Sequence, residues 1–116
     1  MKPEQNTVST YPENAPDLGY KPIPDVFKLP RGMNFGQCSS VAVSSKGNIL
    51  VFNRGAHALM EFDCRGRYLR SLAQGVFTHP HGLRVDAEDN IWATDIGSHI
   101  VVKLDPKGRI RMVLGV

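Results

Sequence analysis

Residues 41–73, VAVSSKGNILVFNRGAHALMEFDCRGRYLRSLA, lie without a gap over residues 83–115, LRVDAEDNIWATDIGSHIVVKLDPKGRIRMVLG, when the chain is shifted by 42. Nine of the 33 pairs are identical: Val43/Val85, Asn48/Asn90, Ile49/Ile91, Gly55/Gly97, His57/His99, Asp63/Asp105, Gly66/Gly108, Arg67/Arg109 and Leu72/Leu114. They fall at turns and strand ends, where a fold restricts residue type most. Within each copy, short β-prone runs alternate with turn signals. Val41-Ala42-Val43 leads through Ser45-Lys46-Gly47-Asn48 into Ile49-Leu50-Val51-Phe52, and Gly and Asn there supply the positive φ that a tight hairpin needs. Ala58–Asp63 then leads through Cys64-Arg65-Gly66-Arg67 into Tyr68–Leu72. No stretch carries a helical period long enough to compete.

The pattern predicts an all-β chain with four strands per copy. A period of ~40–45 residues with four strands per unit is the signature of a β-propeller blade. The expected fold is therefore two blades of an incomplete ring, blade one over about 38–74 and blade two over about 80–116. Closed propellers carry about four to eight blades, so the expectation extends to a piece of a longer array rather than a self-assembling one.

The first 25 residues read differently. Six of the eight prolines, Pro3, Pro12, Pro16, Pro22, Pro24 and Pro30, lie within the first 30 residues, and proline fixes φ and removes an N–H. Residues 1–25 are expected to form an extended arm, with Tyr11, Leu18, Tyr20 and Ile23 as possible anchors, and residues 26–116 the ordered body. The 116 residues hold one small domain. No apolar run reaches the ~20 residues that span a bilayer. The opening residues lack the apolar core of a secretory signal, which points weakly to the cytoplasm. A net charge of +3 permits acidic partners without arguing for them. Cys38 and Cys64 match no zinc-knuckle spacing and are expected as free thiols.

The string Ser98–Gly108 resembles the NHL repeat, with Ala56–Asp63 a weaker copy. A narrower match runs over about residues 26–116. Its pieces are Leu29-Pro30-Arg31-Gly32, Phe35-Gly36, Val41-Ala42-Val43, Gly47-Asn48, Val51-Phe52-Asn53-Arg54-Gly55, Phe77, Pro80-His81-Gly82-Leu83, Trp92 and Thr94-Asp95. Together they resemble the opening blades of peptidyl-α-hydroxyglycine α-amidating lyase, whose family is a six-bladed NHL-type propeller. Ser40 and Ser44 stand where the family has Gly and Asp.

The resemblance implies a lyase that cleaves a C–N bond in peptidyl-α-hydroxyglycine, giving a peptide amide and glyoxylate, with zinc in the central channel and a structural calcium. It implies that His81 is one of three histidine ligands to zinc, that Arg54 is an active-site arginine, and that the backbone carbonyls of Val41 and Leu83 hold calcium. The expected partners are a peptide or small amide substrate and the rest of the propeller. One histidine cannot complete a three-ligand site, so this chain alone is expected to be inactive. The alternative reading is a non-catalytic NHL-repeat propeller that binds a protein or ligand. Nucleic-acid binding rests only on mild basicity and is not expected, nor is a membrane partner.

The remaining polar residues are assigned scaffold roles. His57 and His99 recur at the repeat distance and are expected to bridge turns. His79 is expected to be exposed. Asp86 and Asp95 are expected to satisfy backbone N–H groups in turns. Arg65, Arg67, Lys107, Arg109 and Arg111 are expected as solvated charges at strand edges, and Trp92 as core.

Overall fold

A computed structural model describes residues 15–115, and Tyr11 with most of the expected N-terminal arm lies outside them. Eight strands follow in order: β1 (Cys38–Val43), β2 (Ile49–Asn53), β3 (Leu59–Phe62), β4 (Tyr68–Leu72), β5 (Pro80–Val85), β6 (Ile91–Asp95), β7 (Ile100–Leu104) and β8 (Ile110–Gly115). They form two four-stranded antiparallel meanders, β1-β2-β3-β4 and β5-β6-β7-β8. Equivalent strands are offset by the 42 residues of the repeat; β1 and β5, for example, start at Cys38 and Pro80.

Turn chemistry sets this register. In three hairpins a glycine with positive φ closes the turn: Gly47, Gly66 and Gly108 donate N–H to the carbonyls of Ser44, Asp63 and Asp105. The Asp63 carboxylate also accepts from the N–H groups of Arg65 and Arg67, and Asp105 does the same for Lys107 and Arg109. Asp89 stands in the fourth hairpin at φ 64, a conformation that Asp tolerates better than most side chains. Its carboxylate accepts the N–H and hydroxyl of Ser45, tying the first hairpin of one sheet to that of the other.

Two apolar layers follow from strand alternation. Leu50, Phe52, Leu59 and Leu72 of the first sheet pack on Leu83, Ile91, Ala93, Val102 and Leu104 of the second. Phe52 meets Phe77, from the connection between the sheets, edge-on at 4.8 Å. The other face of the first sheet, Val51, Met60 and Phe62, is covered by Phe27, Leu29, Met33 and Phe35. Leu18, Tyr20 and Ile23 are exposed.

The NHL-type propeller is not borne out. Among the described residues no ring closes: the structure is two open sheets, and the repeat builds two meanders rather than the blades of a propeller. The physical reason lies in what covers each face. A ring requires every sheet to be packed on both faces by other sheets. Here the 27–35 segment caps the first sheet, while Ile110, Met112, Val113 and Leu114 of β8 stay exposed at the far edge of the second. Trp92, expected in the core, is half-buried, with the Lys103 ammonium 5.1 Å from its ring centre. Arg67 and Arg109 are exposed and paired with Asp63 and Asp105.

The layer between the sheets is the main source of stability. Truncating Phe52→Ala, at a fully buried position, should cost about 3–5 kcal/mol in a denaturant melt, whereas Leu69→Ala at an exposed position should change stability by less than about 0.5 kcal/mol.

Candidate functional site

The candidate site lies where β5 begins, and it is built on a β-bulge. The pairing of β5 with β6 runs Val85↔Ile91, Arg84↔Trp92 and Leu83↔Ala93, then shifts so that Pro80 faces Asp95. Two residues, His81 and Gly82, therefore oppose the single Thr94. Gly82 donates its N–H to Thr94 Oγ1 at 2.7 Å in place of a ladder partner. A Cβ on Gly82 would press on that same oxygen, so glycine is the residue that fits. Bulges re-aim side chains, and His81 sits exposed on this one. The first sheet repeats the irregularity between Cys38 and Ser40, where Ser39 is the extra residue and its hydroxyl donates to the Phe52 carbonyl.

Arg54 reaches this point from the first sheet. It follows β2, its N–H donates to the Gln37 carbonyl, and its Nε donates to the Pro80 carbonyl at 2.9 Å. The structure thus brings Arg54 to the residue immediately before His81. Arg54 is half-buried, which limits the freedom of its guanidinium.

Val41 and Leu83 front a separate, open groove between β1 and β5, about 400 Å³ in volume and lined by residues 40–43 and 83–85. Antiparallel pairs alternate between bonded and non-bonded positions. Ser44 N–H donates to Asn48 and Asp86 N–H to Asn90, which fixes the phase of each ladder. Counting back along the registers, Val41 faces Val51 and Leu83 faces Ala93 at non-bonded positions. The N–H and C=O groups of both residues therefore turn away from their own sheets toward free strand edges. Their side chains differ: Val41 is 60% exposed and Leu83 only 4%, because the first sheet covers Leu83 and no equivalent sheet covers Val41 among the described residues.

Among the described residues, no three His, Cys, Asp or Glu side chains converge on one point. His81, expected as one of three zinc-binding histidines, has no second histidine, cysteine or carboxylate converging with it into a three-ligand set among the described residues. Two carbonyls are likewise a minority of the ~6–8 oxygens that calcium takes.

The residues that sequence reading undervalued are Asp95 and its repeat partner Asn53. Both are buried at the end of the second strand of their sheet. Asn53 Oδ1 accepts from the N–H groups of Gly36 and Gly55, and its Nδ2 donates to the carbonyls of His57 and Ala58. The Gly36 and Gly55 backbones lie so close that a Cβ on either would collide with the other. Asp95 accepts from the N–H groups of Thr78, His79, Gly97 and Ser98 and from the Thr78 hydroxyl. Thr78 and Gly97 are the 42-residue counterparts of Gly36 and Gly55. The signal was available as an Asn/Asp pair at the repeat distance, each followed two residues later by Gly.

Burial pushes the Asp95 carboxyl upward, but the four backbone N–H donors outweigh it and hold the pKa at about 2. Asp86 is also held below the ordinary carboxylate range, first by the Trp92 indole N–H and then by backbone donors of its own turn. Cys38 and Cys64 are both free and exposed. Of the repeated histidines, His57 bonds Ser71 Oγ through Nδ1 at 3.2 Å, whereas His99 is exposed at φ 60. No helix among the described residues is long and apolar enough to cross a membrane.

With this geometry in view, comparison with known proteins is specific. The chain is 33% identical over 111 residues to peptidylglycine alpha-amidating monooxygenase of Rattus norvegicus, a match covering 74% of this chain and 11% of the rat protein. The resemblance is to the peptidylglycine alpha-amidating proteins. The chain is also 32% identical over 104 residues to a probable peptidyl-alpha-hydroxyglycine alpha-amidating lyase of Caenorhabditis elegans, covering 69% of this chain and 30% of that protein. A third relative, peptidyl-alpha-hydroxyglycine alpha-amidating lyase 1 of Drosophila melanogaster, is 28% identical over 101 residues, covering 66% of this chain and 19% of the fly protein. The chain thus spans a minor part of each amidating relative. No family model matches it.

The depressed pKa of Asp95 has a consequence for stability. A folded-state pKa of about 2 against an ordinary 3.8 means the charged form is favoured by folding. That contribution is complete above about pH 4 and is lost as pH falls toward 2. Asp95→Asn should therefore be less stable than wild type at pH 7, and the gap should close in urea melts taken between pH 4 and 2.

Proposed function

We propose that this chain supplies part of the active site of a peptidyl-α-hydroxyglycine amidating lyase. The observation that carries the reading is the Arg54 Nε bond to the Pro80 carbonyl, which sets Arg54 beside His81. The similarity to proteins named as amidating lyases supplies the reaction class.

In the proposed reaction the C–N bond of the α-hydroxyglycine breaks, the hydroxyl loses its proton as its oxygen becomes the aldehyde carbonyl of glyoxylate, and the departing amide nitrogen takes up a proton. The substrate ends in a carboxylate, and its oxygen gains negative charge as the proton leaves. Arg54 suits both features. Its guanidinium is planar, permanently charged and anchored through Nε, leaving the outer edge as a fixed fork for a carboxylate or a developing oxyanion. His81, exposed on the bulge, directly follows the residue whose carbonyl anchors Arg54. The additional ligands that zinc requires would come from polypeptide outside this chain, and no step is assigned to the metal here. The outward carbonyls of Val41 and Leu83 would contribute two oxygens to a calcium site completed in the same way.

The test is an assay of the whole protein that carries this chain. Given a peptide ending in α-hydroxyglycine, it should release glyoxylate and peptide amide in equal amounts. Arg54→Ala should lower kcat/KM by roughly a hundredfold, about 3 kcal/mol, and Arg54→Lys should recover only part of the loss, because an ammonium lacks the fork. A well-folded wild type that releases no glyoxylate would overturn the lyase reading and leave a non-catalytic binding role.

A further inference from the structure

The geometry points to Asp95 as the positioning residue of this site, a role that rests on the lyase reading for its catalytic consequence but not for its structural one. Asp95 is 2% exposed, and its carboxylate hydrogen-bonds Thr78, His79, Gly97 and Ser98 rather than Arg54 or His81. It acts through the backbone that carries them. Its Oδ2 takes the Thr78 N–H at 2.6 Å and its Oδ1 the His79 N–H at 2.9 Å. These two residues directly precede Pro80, which leads into the His81-Gly82 bulge.

The same Oδ1 takes the N–H of Gly97 at 2.8 Å and of Ser98 at 3.2 Å, so one carboxylate gathers the entry to β5 and the exit from β6. The Ile96 N–H closes the arrangement by donating to the His79 carbonyl at 3.1 Å. Pro80, fixed in this way, offers its carbonyl to Arg54 Nε. A single buried group therefore sets the height of the His81 bulge and the anchor point of Arg54 together.

Comparison of the two sheets separates this role from scaffolding alone. Asn53 occupies the equivalent place in the first sheet, where Ser39 replaces His81. There a mixed donor and acceptor suffices, since the amide nitrogen bonds the His57 and Ala58 carbonyls. In the second sheet the carboxylate is met by donors: four backbone N–H groups and the Thr78 hydroxyl. An amide there would turn an NH2 group against N–H donors. The fold accepts an amide at this place, as Asn53 shows, so Asp95→Asn should fold while releasing part of the 78–79 backbone.

The experiment compares Asp95→Asn with Asp86→Asn, a carboxylate near the opposite end of β6 that takes the Glu88 and Asn90 N–H groups and the Trp92 indole. Two readouts are taken: the His81 ring signals of this chain by NMR, and lyase kinetics of the whole protein. Asp95→Asn should shift or broaden the His81 signals and lower kcat by roughly ten- to a hundredfold, the scale of a misplaced catalytic group. Asp86→Asn should do neither, even where it lowers the melting temperature.

Unchanged His81 signals together with unchanged kcat in a destabilised Asp95→Asn variant would overturn the inference. Should Asp95→Asn not fold, Thr94→Val removes the oxygen that holds Gly82 in the bulge and should move both readouts in the same direction by a smaller factor; no change there would also overturn it. A wild type without lyase turnover defeats the lyase reading, and the NMR comparison then decides the positioning role alone.

Discussion

Backbone N–H groups at the ends of buried strands must find acceptors, and in this protein one side chain per sheet meets that need. Asn53 and Asp95 end the second strands of the two sheets and gather the segments before the first strand and after the second. An unsatisfied buried N–H costs on the order of 1–3 kcal/mol, so a residue that satisfies several at once fixes a loop more firmly than apolar contact would. The paths of residues 36–37, 54–55, 78–79 and 97–98 depend on these two side chains. So does the meeting of Arg54 with Pro80.

The two sheets share a topology but not an environment. In the first, one face is buried by the second sheet, and the other is covered over β2 and β3 by Phe27, Leu29, Met33 and Phe35 while Val41 and Val43 of β1 stay exposed. In the second, the face that carries Trp92 and Lys103 is open. Polar clasps reinforce the apolar layer between the sheets. Ser45 meets Asp89, Arg54 meets Pro80, and Arg70 donates to the Pro106 carbonyl while its Nε pairs with the buried Glu61. Each joins a turn or strand end of one sheet to its neighbour, so the sheets are held at the centre by shape and at the ends by hydrogen bonds.

The chemistry available to the site follows from this division. The bulge at His81 and the anchored guanidinium of Arg54 are both carried on rigid backbone rather than on a long loop, which suits groups that must be held in place. The open edges at Val41 and Leu83 offer carbonyl oxygens, hard donors of the kind that calcium prefers. What this chain lacks within its described residues is a converging set of side-chain ligands.

Much of the fold was legible in the residues themselves. The 42-residue repeat, the four strands per copy and the turns at Gly47, Gly66 and Gly108 rest on local chemistry: positive φ, Asp side chains capping their own turns, and short β-branched runs. Arg54 and His81 were legible as candidates because their sequence context is distinctive. The arrangement of the sheets was not. Whether a ring closes depends on what covers each outer face, and a repeat period carries no information about that. The bulge at His81 was also hidden, because it arises from a bond between Gly82 and Thr94, twelve residues apart, that no local pattern encodes. The same holds for Asp95: its sequence suggested a turn residue, and only the folded chain brought the N–H groups of 78 and 79 to its carboxylate. Local turn energies are written in adjacent residues, whereas the placement of the site depends on contacts that exist only once distant segments have met.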